Sequence, residues 1–435
     1  MFDSFSGPSF RLDVAGLPDG VEVLAFTGRE AISEPFEFDL ELLIDDPALD
    51  LASLLYRSAT LYFGPAGNSV HGLLHEIVQT DHAPGSRLCQ VRLGPKLACL
   101  AQRSSQRLFS HCSVAQILDQ VLNEHGISGG DRRFELSLEH PYRDFCTQYR
   151  ESDLQFLQRL CAQERLHYHF EQDTRGHCLV FSDDQRHLQT SEPVQYRVEG
   201  EPAAVRQLEI QRCSEMAAPS ARGRTDLATL RSARLMPLSG HPVSECNQLW
   251  LLTHVEHYAS QDPQRPYYNR FRALCRTATY ESPPCVKPQM NSLQRAWVVE
   301  VDESCPDPRK PVPVQFDWLY QGEGASPSHC WLPLAPQWQT ANAHALCEGT
   351  ELVVSFVDGD PDQPQISGLL HKPAVVEALA AQSVSSPQDG VQQWLCSQEP
   401  LMLLCLLPGG GSFNHCAHAI CACRIATRPG QSGGA

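Results

Sequence analysis

The sequence predicts a mainly β fold with some α, divided into at least two modules. Three observations carry this. Apolar residues alternate with period two along much of the chain; only two segments switch to the helical period; and a proline-rich stretch near residue 283 separates a long first region from a short, strand-dense second one. At 435 residues and 42% apolar content, the chain exceeds the size at which one hydrophobic core stops growing, so two or three domains follow.

Residues 21–44 read as two strands. The second places Phe36, Phe38, Leu40, Leu42 and Ile44 on one face and Glu37, Asp39 and Glu41 on the other, a half-buried antiparallel pattern. Gly28 and the Ser33-Glu34-Pro35 stretch read as turn chemistry between them, because Gly takes positive φ and Pro cannot donate to a central ladder. Further strand-like runs at 59–63, 70–80 and 88–93 make a barrel or meander the simplest assembly. A helix is expected from Ser113, with Val114, Ile117, Leu118, Val121 and Leu122 on one face, a capping-box spacing to Gln116 and Gly126 as the stop. A second is expected from Ser152, with Gln155 three residues on and Leu154, Leu157, Leu160 and Cys161 on one stripe. After Arg165 the period returns to two, Leu166, Tyr168 and Phe170 facing one way and His167 and His169 the other. Later strands are expected at 205–210, 249–257 and 268–275.

Pro283, Pro284 and Pro288 mark a stiff linker and a domain boundary. Beyond it, strands expected at 296–301, 312–319, 331–334, 351–357 and 365–370 give the pattern of a small Greek-key barrel of the OB type. After His371 the pattern fades, and residues 375–435 read as a disordered tail.

The formal net charge of -17 disfavours phosphate backbones and anionic lipid surfaces, so nucleic acid is not an expected partner. The first eleven residues lack the basic-then-apolar pattern of a signal peptide, which points to cytoplasmic synthesis, and there the 18 cysteines are expected to stay reduced. The apolar run at 401–407 is far shorter than the roughly 20 residues that span a bilayer.

Several of these segments carry a resemblance. Residues 27–42 (TGREAISEPFEFDLEL) resemble the opening strand pair of the VgrG spike proteins of type VI secretion, and 149–160 (YRESDLQFLQRL) a later hub motif of the same family. The helix at 113–122 is similar to the one those proteins carry between the two motifs. Residues 314–318 (VQFDW), 330–334 (CWLPL) and 349–364 (GTELVVSFVDGDPDQP) resemble the family's OB-fold strands and the acidic turn joining the last two. Order and spacing match over roughly residues 12–372.

The resemblance implies a structural, non-catalytic protein without cofactor. It implies a homotrimer with a phage tail hub-like region over 1–285, built of two barrel-like subdomains with helices, and an OB-fold spike domain over 286–374. The hub is expected to sit on a hexameric Hcp tube ring, since three chains with two similar barrels each present six near-equivalent surfaces. A PAAR-repeat tip protein or an effector, and baseplate components, are the other implied partners. Assembly is expected in the cytoplasm, followed by ejection, so that a membrane is crossed only by injection. The tail hub of a contractile phage or pyocin, and an effector-bearing spike with enzymatic activity, are the alternatives. Three departures stand out. Gly409–Asn414 resembles the step before the family's β-helix, but only His415–Ala435 follows, so a shaft of ordinary length is not expected. Arg165 stands where the family often ends the helix with Gly, and a left-handed residue there would cost about 1 kcal/mol. The stretch 338–347 is poorer in Gly than is usual in the family.

No nucleophile elbow, metalloprotease helix motif, phosphate loop or dinucleotide fingerprint is present. His71 and His75 share a strand face and read as ordinary polar positions; His167 and His169, and His254 and His257, read as solvated. His415, Cys416, His418, Cys421 and Cys423 form a dense cluster of soft ligands, but Cys421-Ala-Cys423 is tighter than a zinc knuckle, and a thiol-bearing tail is the preferred reading. Asp358, Asp360 and Asp362 alternate as calcium ligands could, yet lack a terminal bidentate Glu, and turn geometry is preferred. Glu300, Asp302, Glu303 and Asp307 could supply a glycosidase pair, but no lysozyme-sized domain is inserted.

Overall fold

The computed structural model describes residues 10–370, apart from 45, 47, 66–67, 81–86, 174–175, 213–217, 262–265, 303, 306, 320–328 and 339–345. The chain divides into two compact units. The first comprises Met1–Arg103, Val114–Pro141 and Asp153–Cys285; the second, Ser104–Ser113, Tyr142–Ser152 and the described residues from Val286 onward. Among the described residues no helix is long and apolar enough to cross a membrane.

In the first unit, six antiparallel strands close on themselves. Arg11–Val14 pairs with both Val21–Ala31 and Ser58–Tyr62, and Ser69–Thr80, Arg87–Gly94 and Glu37–Ile44 complete the circuit. The alternation expected of Glu37–Ile44 is present: Phe38, Leu40, Leu42 and Ile44 are buried, and Glu37, Asp39 and Glu41 are exposed. The interior is aromatic, with the Phe26 ring edge-on to Phe10 at 5.4 Å and to Phe63 at 5.1 Å. Each such side chain contributes roughly 2–3 kcal/mol by burial. Gly28 is not a turn residue. It lies mid-strand opposite Phe38, whose ring would be 2.3 Å from a Cβ at that position, so the missing side chain makes room for an aromatic on the core face. The turn itself is made by Ser33, at φ 63.

A second circuit follows: Val205–Gln211, Ser220–Thr225, Tyr267–Cys275, Leu249–Ser260, Leu235–Ser239 and Val194–Gln195, closed by the Tyr196 to Val205 bridge. Its core gathers around Trp250, fully buried, whose indole N–H donates to the Cys246 carbonyl at 2.9 Å. Leu249–Ser260 is shared: residues 249–251 pair with Leu235–Ser239, and 254–260 pair with Val21–Ala31 of the first barrel. Both barrels thereby belong to one 12-stranded sheet. Ser220–Thr225 carries no alternating apolar signal because small residues face inward. Ala221 is buried, and a Cβ on Gly223 would meet the Phe271 ring at 2.3 Å.

The expected helices form at Val114–Glu124 and Asp153–Gln163; the whole predicted stripe of the first is buried, and in the second Leu157, Leu160 and Cys161 are buried together with Phe156, while Leu154 is only half-buried. Both end in the same Schellman arrangement. Ile127 N–H donates to the Leu122 carbonyl (2.9 Å) past Gly126, and Leu166 N–H to the Cys161 carbonyl (2.8 Å) past Arg165. Gly126 has φ 66, and Arg165 adopts the left-handed φ of 56 foreseen for it. His167–Gln172, His177–Ser182 and Arg132–Glu135 form a three-stranded sheet.

In the second unit, Cys330–Leu332, Val312–Phe316, Gln294–Val298, Glu351–Phe356 and Pro364–Leu369 are successive neighbours, and a parallel bridge from Leu334 to Ile366 joins the two ends. The enclosed cluster includes Val314, Phe316, Leu332, Leu352 and Ile366. A two-stranded ribbon, Ser104–Phe109 with Cys146–Ser152, comes from within the first 285 residues yet contributes Tyr149 to this cluster. Thr147 ties it down, its N–H donating to Asp362 Oδ1 at 2.6 Å and its hydroxyl to the Pro361 carbonyl at 2.9 Å.

Candidate functional site

Where Leu249–Ser260 passes from one barrel to the other, the core face carries ionisable groups. Glu30 has the strand parity of Phe26 and Gly28, which places its carboxylate inward. It lies 3.4 Å from His257 Nε2 and 3.6 Å from Arg231 Nε, and accepts from the Ser232 N–H. Arg231 also donates to Asn68 Oδ1 at 2.7 Å and to the Ala228 and Leu230 carbonyls at 3.0 Å. The His257 ring stacks on Phe38 (5.5 Å), and its Nδ1 meets the Tyr267 hydroxyl at 2.6 Å. Burial alone would raise the Glu30 carboxyl, but Arg231 and His257 outweigh it and hold it below the usual carboxylate range. Burial pushes His257 down and keeps it neutral. A charged, hydrogen-bonded knot thus pins together three strands and the segment around Arg231. The parity of Glu30 was the available signal in the sequence; nothing local marks Arg231.

The solvated reading of the histidines does not hold. His167, His169 and His257 are buried, and His254 is half-buried against Arg29, whose Nε donates to its Nε2 at 3.1 Å. The cause is that His167–Gln172 is covered on both faces, so period-two alternation there does not separate core from solvent. Burial drives His167 down to about 4. Next to it His169 and Arg133 hold Glu171 at about 2 against the cost of burial. His140 sits between Glu164 (3.4 Å) and Asp183 (3.5 Å). His71 and His75 are half-buried, with Thr60 Oγ1 at 2.9 Å from the first and the Pro95 carbonyl at 3.1 Å from the second, and a bulge between Leu74 and Glu76 interrupts the strand beside them.

The acidic turn has a resident cation in the chain itself. Lys287 Nζ lies 2.5 Å from Asp360 Oδ1 and 2.6 Å from Asp362 Oδ2. Asp360 also accepts from the Asp362 N–H and from Gln363, and Asp358 takes the left-handed φ of 53 that turns the chain. Glu300 and Asp302 are exposed, Asp307 accepts from the Arg309 N–H, and Glu303 lies outside the described residues. So do His415, Cys416, His418, Cys421 and Cys423. Among the described residues no group of three or more His, Cys, Asp or Glu side chains is placed to hold a metal ion.

The profile of the phage tail baseplate hub (GPD) matches residues 29–213. The type VI secretion system spike protein VgrG4b of Pseudomonas aeruginosa is 34% identical over 86% of this chain and 57% of its own length. VgrG5 of the same organism is 32% identical over 99% of this chain and 63% of its own. The chain therefore spans less than two thirds of the length of these curated relatives. Among solved structures, an Escherichia coli type VI secretion component, described as similar to the T4 bacteriophage tail proteins gp27 and gp5, superposes with a TM-score of 0.72 at 24% identity, covering 82% of this chain and 99% of that one.

Proposed function

Because this chain belongs to the VgrG family of type VI secretion spike proteins, we propose that it is the structural hub of a contractile injection machine, assembling as a homotrimer and docking on a hexameric Hcp ring. The observation that carries this reading is the pair of closed six-stranded barrels held in one sheet by a shared strand. Threefold symmetry would turn two such barrels per chain into six similar surfaces, matching a sixfold ring without any change of sequence. Trimer formation, the Hcp contact, a PAAR tip or effector, and baseplate components all belong to this proposal. So do cytoplasmic assembly and ejection with the tube.

In the second unit, antiparallel neighbours and one parallel closure support an OB-type barrel and a spike-platform role for residues 286–374. The role is mechanical, with work supplied by the machine and rigidity by this chain, and needs no active site. The buried ionisable groups described above serve packing in this reading: Glu30 is held by Arg231 and His257, and Glu171 by Arg133 and His169. A phage or pyocin tail hub is the second reading, favoured by the match to the tail baseplate hub. Native mass measurement of the purified chain with Hcp rings, and separately with a phage tube protein, tests both. A trimer that retains Hcp is expected; a monomer that binds neither tube protein would refute the assignment.

A further inference from the structure

The helix Asp153–Gln163 carries Leu154, Gln158 and Cys161 on one side, at the spacing of successive turns, and this side walls a cavity of about 500 Å³ in the first unit. Ser282, Pro283 and Cys285, at the end of that unit, line the same cavity. Two cysteines far apart in the chain therefore face one space, and both are thiols. Cys161 is buried and Cys285 is exposed.

Cys285 is brought there by an anchored segment. Tyr280 donates its hydroxyl to the Ile32 carbonyl at 2.9 Å; Ser282 donates to the Leu166 carbonyl at 3.3 Å, and its Oγ lies 3.0 Å from Ser33 Oγ. Leu166 is the residue whose N–H closes the helix onto the Cys161 carbonyl, so Ser282 is fastened beside the helix end that holds Cys161. The rings of Pro283 and Pro284 fix φ between this anchor and Cys285, which limits how far the exposed thiol can swing. Burial pushes the Cys161 thiol up, and Cys285 adds to the rise, which places the two groups within electrostatic reach of each other.

The pair is divided by role: an exposed thiol meets reagents from solvent, and a buried one meets only what enters the cavity. We propose that Cys161 and Cys285 are a latent disulfide site, closed in two exchange steps by a small-molecule disulfide such as oxidised glutathione. Cys285 attacks the reagent first. A bond forms between Cys285 and one glutathione, the reagent's S–S bond breaks, and the second glutathione leaves as a thiol with the Cys285 proton. Cys161 then attacks the Cys285 sulfur across the cavity, and the remaining glutathione leaves with the Cys161 proton. Two protein thiols are oxidised and one reagent disulfide is reduced to two thiols. The bond ties the last residues of the first unit to the helix. It stays open in a reducing compartment and closes in an oxidising one, such as a chain ejected from the cytoplasm enters; only that timing rests on the function proposed above.

The test treats the folded full chain with oxidised glutathione and follows it by mass spectrometry of non-reduced peptides and by thermal unfolding. In the wild type a linked Cys161–Cys285 peptide is expected in most of the chain and is reversed by a thiol reductant. The linked chain should unfold about 5 °C higher, because the bond closes a long loop. In Cys161→Ser, Cys285 should stop at the mixed disulfide with glutathione; in Cys285→Ser, Cys161 should stay a thiol. If Cys161→Ser does not fold, Cys285→Ser, a surface substitution, decides alone. Cys305 and Cys347, exposed in the second unit, calibrate how fast ordinary exposed thiols react. A wild type whose Cys285 also stops at the mixed disulfide, or joins a cysteine other than Cys161, would overturn the site. So would a Cys161 that oxidises equally fast in Cys285→Ser. A linked peptide without a rise in the midpoint would mean that the bond forms from an opened chain, which overturns closure within the fold.

Discussion

Each unit contains a three-member cluster of ionisable side chains, and the two are built on opposite terms. Glu30, Arg231 and His257 in the first unit are separated by 3.4–3.6 Å and almost sealed from water, with side-chain exposures of 11%, 9% and 0%. Lys287, Asp360 and Asp362 in the second are closer, at 2.5–2.6 Å, but keep 29%, 26% and 12% of their side-chain surface exposed. Distance alone would rank the second cluster as stronger. Solvation reverses that ranking for the cost of breaking it, because a buried charge that loses its partner has no water to fall back on, whereas a half-exposed one does.

The largest effect expected from this contrast is Glu30→Gln. Removing the carboxylate charge leaves the Arg231 guanidinium buried with carbonyl and amide partners but no counter-ion. A loss of about 3 kcal/mol is expected, confined to the first unit's transition in denaturant unfolding. Adding Arg231→Met should recover part of the loss, since the pair is then replaced by apolar volume. A loss below about 1 kcal/mol for Glu30→Gln would mean that water reaches the barrel seam.

A second effect separates the units by pH. His167 titrates at about 4 in the folded chain because burial disfavours its charged form, against an ordinary value near 6.5. Between those values the unfolded chain binds the proton and the folded chain does not, so this group's contribution is complete above about pH 6.5 and declines as the pH falls toward 4. The full loss is on the order of 3 kcal/mol. His257, His177 and His71 are depressed in the same direction by burial and steepen the decline. All belong to the first unit, so acid should unfold it over this range, and His167→Asn should flatten the slope between pH 6.5 and 4 by about one proton. An unchanged slope would place the sensitivity elsewhere.

How much of this could be read from the sequence depended on how many faces of an element are covered. Glu37–Ile44 has one buried face, and its alternation gave the strand, its orientation and its core residues. His167–Gln172 is buried on both faces, so the same rule sent its histidines to solvent. Ser220–Thr225 is a strand whose inward positions are Ala221 and Gly223 because Phe271 fills the space, and small residues beside arginines look like loop. The mid-strand role of Gly28 was hidden for the same reason: glycine marks a turn and an aromatic lodging equally well. The ribbon that completes the second unit's core could not be inferred locally. Tyr149 and Ile366 meet in one cluster although they are far apart in the chain, and only the long-range pairing brings them together.

The acidic turn shows the same dependence in reverse, and gives the smallest effect. Its aspartates suggest a cation, and the cation is Lys287, supplied by the proline-rich stretch that reads from sequence as a mere linker. Burial would raise the Asp360 carboxyl, but Lys287 and the Asp362 N–H outweigh it and hold it low. This contribution is therefore present above the ordinary aspartate range near pH 4 and lost as the pH falls through the lowered value. Lys287→Met should cost about 1 kcal/mol, reduced from a buried pair's worth by the exposure of all three side chains, and only in the second unit's transition. Asp362 keeps the Thr147 N–H, so the ribbon should stay attached and the fold persist. Wild-type stability should not respond to millimolar calcium, because the ammonium already occupies the space between the carboxylates. A calcium-dependent rise in the wild-type midpoint would show that Lys287 yields the turn to a metal; a rise seen only in Lys287→Met would show that the lysine is what excludes one.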